Sequence, residues 1–275
     1  MPFMDILGAR LELAHLPAGA QATAAHAPLV FLHEGLGSVG LWRDWPARLC
    51  AATGRAGWLY SRQGYGRSSP IADIRGPSRQ HVDGSRSGRL RPDYQQREAL
   101  EVLPRVLDTL GIQAPVLIGH SDGATIALIH AAHHPVSACV VMAPHVMVED
   151  ITLAGLRQAR QAWEDGPLQH SLARHHDAPE VAFWQWNEAW LDPAFHGFDI
   201  RDTCSQIRAP LLAIQGHDDA YGSMAQLDEL ARVAPQTRLL KLSDCGHEPH
   251  REQAQQVTQA ITDFLASLRT DTVPA

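Results

Sequence analysis

Val116-Leu117-Ile118-Gly119-His120-Ser121-Asp122-Gly123-Ala124 reads as an apolar strand running into a G-x-S-x-G turn and then a helix. The turn lifts one hydroxyl out of a sheet at the start of a helix, where unpaired backbone N–H groups favour developing negative charge. Gly119 and Gly123 leave room for the close approach. A bare match of this kind also fits a serine that merely caps a helix, so the flanking sequence has to discriminate.

Outward from this stretch, short apolar runs recur: Pro28 to His33, Gly57 to Ser61, Ala138 to Ala143, Pro210 to Gly216 and Arg238 to Leu242. Each is too short for a helix and lacks alternation, as expected of strands buried on both faces. Helical patterns separate them: from Trp42 through Ala52, Tyr94 to Leu110, Gly123 to about Ala132, about Met224 to Val233, and roughly Pro249 to Leu268. Residues 5–13 add an edge hairpin turning at Gly8. The result is an α/β fold, a mostly parallel central sheet with helices on both faces. Trp42 and Trp45 are expected to pack in the core.

Residues 146–205 break the rhythm. They read as helices carrying Trp163, Phe183, Trp184, Trp186, Trp190, Phe195 and Phe198, a helical cap inserted into a core of residues 1–145 and 206–275. Helices inserted after a parallel strand cover the edge where ligands bind. Most of these aromatics should be structural; Trp163 and Trp186 are assigned to a substrate pocket with His145 and Tyr221, which follow strand ends. His170, His175, His176 and His196 form no convincing metal set. Residues 71–91 contain Arg75, Arg79, Arg86, Arg89 and Arg91 in a stretch without apolar periodicity, read as a solvated surface loop.

The 275 residues are 45% hydrophobic and 19% charged, which is a globular composition with a sizeable core. A net charge of −7 argues against nucleic acid or an anionic membrane as partner; a small molecule is expected instead, and the oligomeric state is left open. The four cysteines, Cys50, Cys139, Cys204 and Cys245, lie far apart without a C-x-x-C pair, as reduced thiols would. With no basic-apolar leader and no run of about 20 apolar residues, a cytoplasmic location is expected.

Three polar groups follow apolar strands in the order Ser121, Asp218 or Asp219, His247. The Glu34-Gly35-Leu36-Gly37-Ser38 loop can bring a backbone N–H, that of Gly35, to a reacting oxygen. In these features the chain resembles the α/β-hydrolase fold superfamily, of the capped serine esterase or carbon–carbon hydrolase type. The likeness rests on His33 to Ser38, Ser61 to Ser68, the Ser121 turn, Gly216 to Asp219 and Gly246-His247. It implies Ser121 as nucleophile, His247 as base and Asp219 as acid, since the family spacing Gly-x-x-Asp runs from Gly216 to Asp219. It also implies oxyanion donors at the N–H groups of Asp122 and Gly35, with no metal or organic cofactor. Glu34 in place of the usual glycine, and Ala124 in place of a second glycine, depart from the pattern. The expected reaction is hydrolysis of an ester or related acyl bond. The alternatives are carbon–carbon cleavage of a diketone-like substrate and a receptor that binds without turnover.

Overall fold

The computed structural model describes residues 2–18, 26–77 and 87–268. Among these, eight strands form one sheet in the order β1-β2-β4-β3-β5-β6-β7-β8. They are β1 (Phe3–Ile6), β2 (Ala9–Leu16), β3 (Leu29–Leu32), β4 (Gly57–Tyr60), β5 (Val116–His120), β6 (Ala138–Met142), β7 (Leu211–Gly216) and β8 (Thr237–Leu242). Strands β1 and β2 form the antiparallel hairpin, β2 pairs antiparallel with β4, and every other pairing is parallel. Strands β3, β5, β6 and β7 are buried throughout, as continuous apolar runs require. The last strand, β8, lies at the edge and exposes Arg238 and Lys241, which discourages pairing with another sheet.

The helices are α1 (Trp45–Thr53), α2 (Tyr94–Arg97), α3 (Leu103–Leu110), α4 (Asp122–His133), α5 (Asp150–Glu164), α6 (Pro167–Leu172), α7 (Pro179–Trp190), α8 (Arg201–Cys204), α9 (Ala225–Val233), α10 (Pro249–Glu252) and α11 (Ala254–Ser267). Alternate residues of the strands feed two cores. On one face Phe31, Ile118 and Val140 meet Leu49 of α1 and Val257, Ile261 and Phe264 of α11. On the other Val30, Leu117 and Val141 meet Ile126 and Ala127 of α4 and Val106 of α3. Trp42 and Trp45 stack at 5.8 Å within the first core, in the packing role expected of them.

Two helices differ from the sequence reading. The one expected over 94–110 contains a π-helical turn, Glu98–Val102, in which the Leu103 N–H reaches back to the Glu98 carbonyl. Pro104 follows; it has no N–H and its ring crowds the preceding turn, and the wider turn accommodates it. The helix expected over 249–268 breaks at Gln253, which leaves helical geometry at φ −126°. Its side chain instead donates to the carbonyls of Ser243 and Asp244, tying the last helices to the loop that carries His247.

The helical segment between β6 and β7 leaves and rejoins the core at one neck. Met147 and Asp199 form an antiparallel bridge, and the Ile200 N–H donates to the Val146 carbonyl. Gln226 of α9 clamps the neck by accepting from the Val146 N–H at 2.7 Å and donating to the Met147 carbonyl at 3.1 Å. Inside the segment Trp163 stacks on Phe183 at 4.4 Å, and Phe195 on Phe198 at 4.8 Å. Among the described residues no helix is long and apolar enough to cross a membrane.

Candidate active site

Ser121 sits at the sharp turn from β5 into α4 with φ 53° and ψ −117°, a strained left-handed conformation for a residue with a side chain. The strain is held by its surroundings. The Ser121 N–H donates to the Met142 carbonyl of β6, and the Ser121 carbonyl accepts from Ala124 and Thr125. A side chain at Gly119 would overlap the backbone of Gly123 and Ala124, and one at Gly123 would overlap the Leu32 carbonyl. Both glycines of the motif are thus demanded by β5, α4 and β3 closing on one another.

From this turn Ser121 Oγ lies 3.0 Å from His247 Nε2, and His247 Nδ1 lies 2.8 and 2.9 Å from the two carboxylate oxygens of Asp219. An Nδ1–H donating to Asp219 leaves the Nε2 lone pair facing the hydroxyl. Asp219 also accepts from the Tyr221 N–H at 2.8 Å. Burial alone would raise its carboxyl, but the hydrogen bond and charge of His247 outweigh that and hold it below the usual carboxylate range. Asp218, the other acid in the sequence, is exposed, and its N–H bonds the Cys245 carbonyl. Asp219 is the one brought to His247.

The loop after β3 is set by Arg62, whose guanidinium donates to the carbonyls of His33 at 2.7 Å and Glu34 at 3.0 Å. Glu34 C=O and Gly35 N–H belong to one trans peptide, so pinning the carbonyl toward Arg62 turns the Gly35 N–H away from it. Gly35 and Asp122 both line the cavity that holds Ser121. Asp122 opens α4, where helix N–H groups lack intrahelical partners. Trp186 of α7 lies against Gly35 so closely that a side chain there would overlap its indole.

The Asp122 side chain does not enter the cavity as a free group. It accepts from Tyr94 Oη at 2.6 Å, Gln95 Nε2 at 3.1 Å and Trp190 Nε1 at 3.1 Å, and faces Arg62 at 3.6 Å. Three separate pieces of chain are thereby fastened to the first residue of α4. Sequence reasoning missed this set; only the unusual acid beside Ser121 hinted at it. A second pair lies beside it. Glu34 Oε2 is 3.4 Å from His120 Nδ1, an ion-pair distance longer than an ideal hydrogen bond, while His120 Nε2 donates to the His247 carbonyl at 2.7 Å. Burial would lower the His120 pKa, but Glu34 and the His247 carbonyl outweigh it and raise it.

The cavity measures about 440 Å³, with apolar walls from Leu36, Leu156, Leu168, Leu172, Trp186 and Trp190. His145, Tyr221 and Trp186 line it. Burial first, and the neighbouring His247 second, push the His145 pKa down to about 3, so it is neutral at pH 7. Trp163 does not line the cavity. Its stacking on Phe183 spends its surface inside the helical segment, a packing role that composition could not separate from a binding one. Of the arginine-rich loop, Arg79 and Arg86 lie outside the described residues. Arg75 pairs with Glu188 at 3.0 Å and stands over the Trp184 ring, and Arg89 reaches Asp192 at 4.0 Å; both hold the helical segment rather than standing free in solvent. The four cysteines are buried and unbridged. Burial pushes Cys245 up to about 11, which leaves no thiolate beside His247 to compete with Ser121.

A family model described as alpha/beta hydrolase fold matches residues 27–176. The chain is 26% identical over 289 residues to the polyketide synthase ThaQ of Burkholderia thailandensis, covering 92% of this chain but only 13% of that much longer protein. It is 28% identical to the putative carbamate hydrolase RutD of Pseudomonas savastanoi pv. phaseolicola, covering 88% of this chain and 95% of the relative. The crystal structure of the enol-lactonase from Burkholderia xenovorans LB400 superposes with a TM-score of 0.69 at 20% identity, over 97% of this chain and 100% of that one. At that identity the likeness establishes the fold.

Proposed function

Since the chain belongs to the alpha/beta hydrolase fold family, we propose that it is a serine hydrolase cleaving an ester or related acyl bond of a small, partly apolar molecule. Ser121 is the nucleophile, His247 the base and Asp219 the acid that orients it. The observation that carries this reading is the unbroken line from Ser121 through His247 to Asp219, at 3.0 and 2.8 Å, opening on an apolar cavity.

The chemistry follows from the geometry. His247 Nε2 takes the proton of Ser121 Oγ as the oxygen attacks the carbonyl carbon, and ionised Asp219 stabilises the imidazolium that results. The negative charge arriving on the carbonyl oxygen is met by the N–H groups of Asp122 and Gly35, each contributing about 3–4 kcal/mol if fully formed in the transition state. The imidazolium then protonates the departing alcohol. Water, deprotonated by the same histidine, cleaves the acyl-enzyme and restores Ser121. Residues 146–205 act as the cap, supplying the walls that keep bulk water from the acyl group.

A fluorophosphonate probe should label the protein once, at Ser121, and a short p-nitrophenyl ester should be turned over. Ser121→Ala should lose both, with kcat falling on the order of 10⁶-fold. Undiminished hydrolysis in that variant, or no labelling of the wild type, defeats the assignment.

A further inference from the structure

The charged groups around the cavity limit what can enter it. Among the described residues, the acids Glu34, Asp122, Glu248 and Glu252 line it, with Arg251 and His120. Arg251 is spent on Glu248, and Glu252 accepts from the N–H groups of Gly246 at 2.7 Å and Glu248 at 3.0 Å. Arg62 lies behind the loop, held by two carbonyls and Asp122. Among the described residues of the wall, the one arginine, Arg251, is already paired with Glu248, and no lysine lines the cavity.

Glu34 goes further than failing to help. It immediately precedes Gly35, whose N–H is assigned to the oxyanion, and both residues line the cavity. Its side chain is 20% exposed whereas that of its partner His120 is 0% exposed; both line the cavity, and the carboxylate is the more open end of the pair. Gly37 keeps the space for this carboxylate, since a side chain there would overlap it. Burial would raise the Glu34 carboxyl, but the neighbouring His120 outweighs that and holds it well below the usual carboxylate range, so it stands ionised at neutral pH. A substrate carboxylate placed among these leucines and tryptophans would lose its hydration and meet a fixed like charge. A cation would lose its hydration too, to a carboxylate already paired.

From this placement we infer that the site selects esters uncharged on both sides of the scissile bond, and that Glu34 is the residue that turns away acyl groups bearing a carboxylate. The inference rests on the hydrolase reading above and narrows its substrate class.

The test compares two p-nitrophenyl esters of equal acyl length, the pentanoate and the glutarate hemiester. Wild type should prefer the pentanoate in kcat/KM by a factor on the order of ten to a hundred. Glu34→Gln, which keeps the shape and removes the charge, should bring the ratio several-fold closer to one, and Glu34→Asp should restore it. Equal rates on the two esters in wild type, or a ratio unmoved in a folded Glu34→Gln variant, overturns the inference. Were that variant to unfold, the wild-type ratio alone would decide. Failure to cleave the pentanoate despite labelling at Ser121 would overturn the substrate class and leave the nucleophile standing; absence of labelling would remove both.

Discussion

Replacing Asp122 by asparagine should destabilise the protein far more than so small a change suggests. The native carboxylate takes three hydrogen bonds, from Tyr94, Gln95 and Trp190, and faces Arg62 at 3.6 Å, with both partners of the ion pair at 4% exposure or less. Asparagine keeps one acceptor oxygen and turns an NH₂ toward the Tyr94 hydroxyl and the Arg62 guanidinium, so the Tyr94 proton, or another donor of the set, is left without an acceptor. Arg62 keeps its two carbonyl acceptors but loses its counter-charge. Orphaning one buried donor costs about 1–3 kcal/mol, and breaking a buried pair by removing one charge costs about 3–5 kcal/mol. The terms overlap, because the same oxygen serves both, and a total of about 4 kcal/mol is expected. For a chain of this length each kcal/mol moves the midpoint by roughly 2–4 °C, so thermal unfolding followed by circular dichroism should show a fall on the order of 10 °C. A loss below about 1 kcal/mol would refute the reasoning, since it would mean that the carboxylate is not the acceptor the three surrounding segments depend on.

Two further outcomes are expected. Asp219→Asn should lower kcat on a short ester by about 10⁴-fold by freeing the wrong tautomer of His247, whereas Asp218→Asn, at an exposed position, should stay within about twofold; equal effects would reverse the assignment of the acid. The Glu34–His120 pair gives a signed pH dependence. The depressed Glu34 carboxyl contributes stability that is full above its unfolded pKa of about 4.3 and lost as pH falls through the folded value. The raised His120 contributes stability that is full below about 6.5 and lost as pH rises through its folded value. The stability difference between wild type and Glu34→Gln, measured as melting temperature from pH 4 to 9, should therefore be largest near about pH 5–6 and shrink toward pH 9; a difference that grows with pH would contradict the pairing.

How far the sequence carried this picture depended on whether a signal was local. Ser121 and His247 each follow an apolar strand and sit beside glycine, so their places at one sheet edge were legible. The apolar pattern left Asp218 and Asp219 open, and only the family spacing from Gly216 favoured Asp219; the choice turns on which side chain the loop after β7 buries. The Asp122 network was invisible for a different reason: its partners stand at 62, 94, 95 and 190, and no periodicity links them. Trp163 and Trp186 look alike in composition, yet one stacks within the helical segment and the other lies on Gly35. The two misread helices turn on single residues, Pro104 and Gln253, whose effect is to change a hydrogen-bond partner rather than the apolar pattern.

The neck at Met147 and Asp199 makes the helical segment a detour with a common entrance and exit. Its ends are fixed to each other and to Gln226, so residues can be added to or taken from the detour without shifting the register of β6 against β7. The cavity walls are in this way divided: Leu156, Leu168, Leu172, Trp186 and Trp190 belong to the part that can be exchanged, whereas Glu34 and Leu36, like Ser121, Asp219 and His247, belong to the part that stays. A graft made at this neck would carry new apolar walls onto unaltered positions of Ser121, Asp219 and His247, provided it brings a tryptophan to meet Asp122.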